Sequence, residues 1–160
     1  MIYNILDKYI MNDFSEEIVK NLNNNKNNVI FDIGCFKGNF SRTLKNKLNS
    51  NNNKFYLFDP NSNLKIEDFK HHTLAFSNKV KKKQKYHLNT FFPSSGSSLK
   101  TIVKNDKSWN LTRKILTFNI GKKFQVHNIN TDKVDNFCKS KKISKIDVLK
   151  IDVEGAELDV

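Results

Sequence analysis

Proline and glycine are scarce, at 2 and 5 of 160 residues, which excludes a collagen-like chain and a Pro/Gly-rich disordered one. There are 2 cysteines, Cys35 and Cys138, and their wide separation excludes a disulfide framework or a zinc site of ordinary ligand spacing. Both read as reduced, buried thiols. No uninterrupted apolar run approaches the roughly 20 residues of a membrane-crossing helix. The start, Met1-Ile2-Tyr3-Asn4, lacks the basic and apolar regions of a secretory signal. These absences predict a cytoplasmic chain with no membrane partner. Arginine is nearly missing too: Arg42 and Arg113 stand among 28 basic residues, which outnumber 16 acids to give a net charge of +12. Such a charge ordinarily points to nucleic acid. Phosphate and base-edge recognition favours the arginine fork, however, and the lysine excess beside 24 Asn reads as the drift of an AT-rich coding sequence. Nucleic acid is therefore not the expected partner. What the chain does have is aromatic bulk, 13 Phe, 4 Tyr and 1 Trp, enough for a core at a length usual for one domain.

Along the chain, Ile2, Ile5, Leu6, Tyr9 and Ile10 recur at helical spacing. Ser15 reads as the N-cap of a second short helix carrying Ile18, Val19 and Leu22, so residues 1–28 form a helical lead-in ending in an Asn-rich loop. Val29-Ile30-Phe31-Asp32-Ile33 is the kind of short apolar run that makes a strand buried on both faces. A turn, Gly34 to Gly38, leads to a helix with Phe40, Leu44 and Leu48 on one face. A second Asn-rich loop precedes the strand Phe55-Tyr56-Leu57-Phe58, which Asp59-Pro60 stops. Strand, helix and strand in about thirty residues make a βαβ unit and a parallel α/β sheet. A third strand is expected at Thr73 to Phe76, further strands at Lys85 to Asn89 and Lys123 to His127, and a helix around Val134, Phe137 and Cys138. Ile146 to Val153 reads as another buried strand, with Glu154 to Leu158 turning into a helix. The lysines from Lys79 to Lys85 read as a solvated hairpin edge. Phe92 to Ser98 reads as a loop, of which Ser94 to Ser98 is a mobile part able to cover a substrate.

The sharpest signal is Asp32-Ile33-Gly34-Cys35-Phe36-Lys37-Gly38 at a strand-to-helix junction. Glycines here let the backbone turn tightly and pass close to a ligand, as in nucleotide-binding βα turns. The spacing is not the dinucleotide G-x-G-x-x-G. A buried carboxylate is costly unless bonded, so Asp32 either ties the loop's N–H groups or attracts a cationic ligand such as a sulfonium. Asp59 closes the second strand 25 positions after Gly34, roughly where an α/β nucleotide site places an acid to grip a ribose diol.

Val29 to Phe40 resembles the first motif of class I S-adenosylmethionine-dependent methyltransferases. Phe31-Asp32-Ile33-Gly34, Phe58-Asp59-Pro60, Ala75-Phe76-Ser77, Ser97-Ser98-Leu99 and Leu149-Lys150-Ile151-Asp152-Val153-Glu154-Gly155-Ala156-Glu157 together are similar to the FkbM family, over about Val29 to Val160. The resemblance implies an α/β, Rossmann-like class I methyltransferase fold with a mostly parallel sheet, order 3-2-1-4 present and later strands missing. Residues 29–160 would be a partial methyltransferase domain. It implies S-adenosylmethionine as cofactor, with Asp32, Gly34, Cys35 and Gly38 at its methionine portion, Asp59 at the ribose, and Ser77 and Asn78 at the adenine. Asp59 stands where the family usually has Glu. Asp135 is expected to be structural.

Asp152 and Glu154 follow the fourth strand and would share one face if the strand continued that far. Methyl transfer is an in-line displacement that needs alignment and a carboxylate to take the acceptor hydroxyl's proton or to hold an orienting metal. Asp152 is the first candidate and Glu154 the second. Glu157 reads as a helix start. His71, His72, His87 and His127 share no ligand spacing, so no metal is indicated. The expected activity is methylation of a hydroxyl on a sugar, glycan or other small molecule. The alternatives are an inactive truncated methyltransferase and a basic nucleic-acid-binding module.

Overall fold

A computed structural model describes residues 2–22, 27–48, 52–89, 97, 99 and 124–160, with backbone alone for 2–10 and 124. The expected covering loop Ser94 to Ser98 lies outside the described residues except for Ser97, and so does the stretch from 100 to 120. Two compact units divide the chain: Met1–Thr73 with Cys138–Ile151, and Leu74–Phe137 with Asp152–Val160.

In the first unit, α1 (Ile2–Asn21) precedes β1 (Val29–Ile33), α2 (Asn39–Lys47), β2 (Lys54–Phe58) and β3 (His71–His72), and a later strand, β7 (Val148–Ile151), returns to the same sheet. The sheet is parallel throughout, in the order β3-β2-β1-β7. This is the expected 3-2-1-4 order of a Rossmann-like methyltransferase. Strand alternation sorts the side chains. Ile30, Phe55 and Val148 pack with Phe40, Leu44 and Leu48 of the α2 segment and with Met11, Ile18, Val19 and Leu22 of the α1 segment. Phe31 instead meets Tyr56 and Phe58 at a tilt, each at 5.2 Å between ring centroids.

Two expectations differ from the structure. Ser15 does not begin a second helix: α1 runs on through it, and its hydroxyl, fully buried, donates to the Met11 carbonyl four residues earlier. A serine satisfied within its own helix does not interrupt it. The third strand is not Thr73 to Phe76 either. β3 is His71–His72, whose second ring stacks on Phe58 at 5.2 Å and on Tyr56 at 6.2 Å. Ring stacking and the Asp59 N–H bond to the His72 carbonyl supply the strand character that two histidines lack by propensity.

In the second unit, β4 (Ala75–Phe76), β5 (Lys81–Asn89) and β6 (Phe124–Asp132) form a separate sheet in the order β4-β6-β5. β5 and β6 pair antiparallel, with an irregularity between Lys81 and Gln84 where Lys83 takes a φ of 60°. Lys81, Lys82, Lys83 and Lys85 are exposed on this edge strand, as the lysine run predicts. Helix α3 (Val134–Lys141) follows β6; its residues up to Phe137 belong to this unit and Cys138 onward to the first, and Phe137 meets Phe76 edge-on at 6.1 Å. Cys138 is half-buried rather than buried. No helix among the described residues is long and apolar enough to cross a membrane.

Candidate functional site

Glycine and acid positions converge where β1 and β2 end. In a parallel α/β sheet, ligands bind in the crevice beyond the carboxyl ends of the strands. The turn leaving β1 runs through left-handed backbone at Gly34 (φ 75°), Phe36 (φ 44°) and Gly38 (φ 74°). The Gly34 and Cys35 N–H groups both donate to the Phe58 carbonyl of β2, at 2.9 and 3.1 Å, so β2 fixes the start of the loop. Gly38 caps α2. A Cβ there would sit 3.1 Å from Ile66 Cγ2 and 3.2 Å from Leu57 Cδ2, so close packing as well as φ requires glycine.

Asp59 has its carboxylate among backbone donors. One oxygen accepts from the Phe36 N–H of the loop at 3.1 Å and the other from the Asn61 N–H at 2.9 Å. Its own carbonyl meets His71 Nε2 at 2.9 Å. Burial raises the Asp59 carboxyl above its ordinary range, while the Asn61 and Phe36 N–H groups pull it back. These N–H groups fill two of roughly four acceptor positions of a carboxylate.

Asp32 is held differently. It is completely buried; Ser41 of α2 donates to one oxygen at 2.8 Å and Lys150 Nζ to the other at 3.0 Å. The Gly34, Cys35 and Gly38 N–H groups go to backbone carbonyls and the Phe36 N–H to Asp59, while Lys150 places a cation beside Asp32. Lys150 is the residue that sequence reasoning missed. The available signal was a lysine inside the otherwise apolar run Val148-Leu149-Lys150-Ile151, which needs a buried acid as partner.

Cys35 offers a ligand its backbone only. Its side chain packs with Leu57 and Ile66, and burial, followed by the nearby Asp32 and Asp59 charges, pushes the thiol far above its ordinary value. Both effects disfavour its thiolate.

Ser77, Asn78, Asp152 and Glu154 belong to the second unit. The Ser77 N–H extends the β4–β6 pairing by donating to the Asp132 carbonyl at 2.9 Å, and its hydroxyl accepts from the Lys79 N–H; Asn78 is exposed in the same turn. Asp152 is exposed immediately after β7, while Glu154 is half-buried. These two acids do not share a strand face, because β7 stops at Ile151 and the backbone turns left-handed at Glu154 (φ 53°) and Gly155 (φ 88°). Glu157 opens a single 3-10 turn, Glu157–Asp159, rather than an α-helix, and one of its oxygens accepts from the Val153 and Gly155 N–H groups, both at 3.1 Å. It pins the turn that carries Asp152 and Glu154. No group of His, Cys, Asp and Glu among the described residues could hold a metal ion.

A parallel sheet of this order, with a glycine loop and two acids at the strand ends, defines a Rossmann-like α/β fold. The Methyltransferase FkbM domain model matches residues 32–160, and the chain belongs to the FkbM methyltransferase family. A search of the curated proteins finds no match, and neither does a search of the solved structures.

Proposed function

We propose that this methyltransferase moves the methyl group of S-adenosylmethionine to a hydroxyl oxygen of a sugar, glycan or other small molecule. The observation that carries the reading is Asp59, a buried carboxylate bonded to the glycine loop that keeps acceptor positions for a ribose diol at the end of β2. When bound, S-adenosylmethionine supplies a methyl activated by its sulfonium. Gly34 leaves the backbone without a side chain where the methionine portion would approach, and Gly38 shapes the loop behind it. Asp59 accepts hydrogen bonds from the ribose hydroxyls. Asp32 acts through the shape of β1's end, since it is completely buried and faces Lys150 and Ser41 of the scaffold. Ser77 and Asn78 are the candidates for the adenine. Asp152 is the first candidate to accept the acceptor hydroxyl's proton, and Glu154 the second; alignment supplies the rest of the rate.

Incubation with methyl-labelled S-adenosylmethionine and a panel of monosaccharides and oligosaccharides tests the reading. Label should appear in a base-stable methyl ether, and Asp152→Asn should reduce its formation by about 10²-fold or more. A folded chain that labels none of the panel, or labels only amines, contradicts the reading.

A further inference from the structure

The first residue of the glycine loop is gripped from both sides. Its N–H donates to Phe58 of β2 at 2.9 Å, and its carbonyl accepts from Lys150 Nζ of β7 at 3.1 Å. Strand register places the second grip: Asp32 and Lys150 are direct partners on the parallel strands β1 and β7, so their side chains leave the sheet on one face. That brings the ammonium within 3.0 Å of the Asp32 carboxylate and 5.9 Å of the Phe40 ring centroid, with 13% of the lysine side chain and none of the aspartate exposed. An ammonium carries three donors and no acceptor. One Lys150 proton therefore compensates the buried acid while another holds a left-handed loop carbonyl.

We infer that Lys150 is a positioning residue for the glycine loop: it ties the Gly34 carbonyl to β7 and sets the loop geometry on which cofactor affinity depends. The affinity part rests on the reading that this loop receives S-adenosylmethionine. The geometric part does not, because the tie exists whatever the loop binds. A salt bridge that served the strands alone would need no contact with Gly34. Without the Lys150 donor, the loop keeps its link to β2 but loses its link to β7, and the Gly34–Cys35 peptide is held only by the Cys35 N–H bond to Phe58. A pocket for an adenosyl-methionyl cofactor would then have to order that peptide on binding.

The test combines amide hydrogen exchange without ligand and titration with S-adenosylhomocysteine. Lys150→Met alone strands the Asp32 charge and can unfold the chain, so the decisive variant is Lys150→Met with Asp32→Asn, which removes both charges of this pair. Lys150→Arg is the rescue, and Lys20→Met, on an exposed helix pair, is the control. The double variant should exchange its Gly34 and Cys35 amides about tenfold faster, with Ile30 and Leu57 unchanged, and should bind S-adenosylhomocysteine about tenfold more weakly. Lys150→Arg should return both readouts to within about threefold of the parent, since it keeps charge and donors. Parent-like loop exchange and affinity in the double variant overturn the inference, and so does exchange that accelerates equally in β1 and β2. If the parent binds no S-adenosylhomocysteine, the functional reading fails and the exchange data alone decide the role of Lys150.

Discussion

Asp32 and Asp59 stand at the ends of neighbouring parallel strands, both buried, and the chain treats them in opposite ways. Asp32 faces a lysine and a serine hydroxyl, and its charge is cancelled within the scaffold. Among the described residues the Asp59 carboxylate accepts from the Phe36 and Asn61 N–H groups, with His71 the nearby group whose charge favours it. Burial nonetheless raises the Asp59 carboxyl, an unfavourable state that cations or further donors would relieve. Two acids of one type on one sheet are thus held differently: Asp32 is paired within the scaffold, and Asp59 is the acid that the proposed function assigns to a ligand's hydroxyls. A third acid, Asp68, pairs with Arg42 at 3.0 Å in the open, with about half of its side chain exposed, and gives a reference for what a solvated pair is worth.

The largest break in this comparison is Lys150→Met. Removing the partner of a fully buried carboxylate should cost about 3–5 kcal/mol in denaturant unfolding, with much of it recovered when Asp32→Asn is added. Gly38→Ala comes next. The left-handed backbone and the 3.1 Å approach to Ile66 predict a loss of about 1–2 kcal/mol, read as a lowered urea midpoint at unchanged slope. Asp59→Asn should cost about 1 kcal/mol at neutral pH, because losing one N–H partner is offset by relief of a charge that burial disfavours. Its clearer signature is pH dependence. The native Asp59 holds its proton to higher pH than the unfolded chain, so its contribution is fully present below the ordinary carboxylate value and is lost as pH rises through the raised native value. The parent-minus-variant stability difference should therefore fall with rising pH across that window; a rise would assign Asp59 the opposite environment. Arg42→Met should change stability least, by about 0.2–1 kcal/mol, and less in high salt.

The parts of the site close together in sequence were readable from it. Asp32, Gly34 and Gly38 fall on one strand-to-turn junction, and Asp59 ends the next strand, so local pattern alone brings them to one end of a βαβ unit. The FkbM-like stretch from Leu149 to Glu157 pointed to the same family. Lys150 was not readable as Asp32's partner, because the two lie 118 residues apart and meet only through the β1–β7 register. Ser15 misled because its capping chemistry also permits a bond to the preceding helical turn, and burial decides between them. His71–His72 misled because their strand role depends on the neighbouring Phe58 and Tyr56 rings. The shared face expected for Asp152 and Glu154 extrapolated strand alternation past Ile151, where Gly155 and a left-handed Glu154 end it.

Calorimetric titration with S-adenosylhomocysteine tests this assignment of Asp59 most directly. The account predicts one-site binding by the parent, unchanged in Arg42→Met and weakened about tenfold or more in a cooperatively folded Asp59→Ala. A folded parent that gives no binding heat, or an Asp59→Ala variant that binds as tightly as the parent, would contradict it.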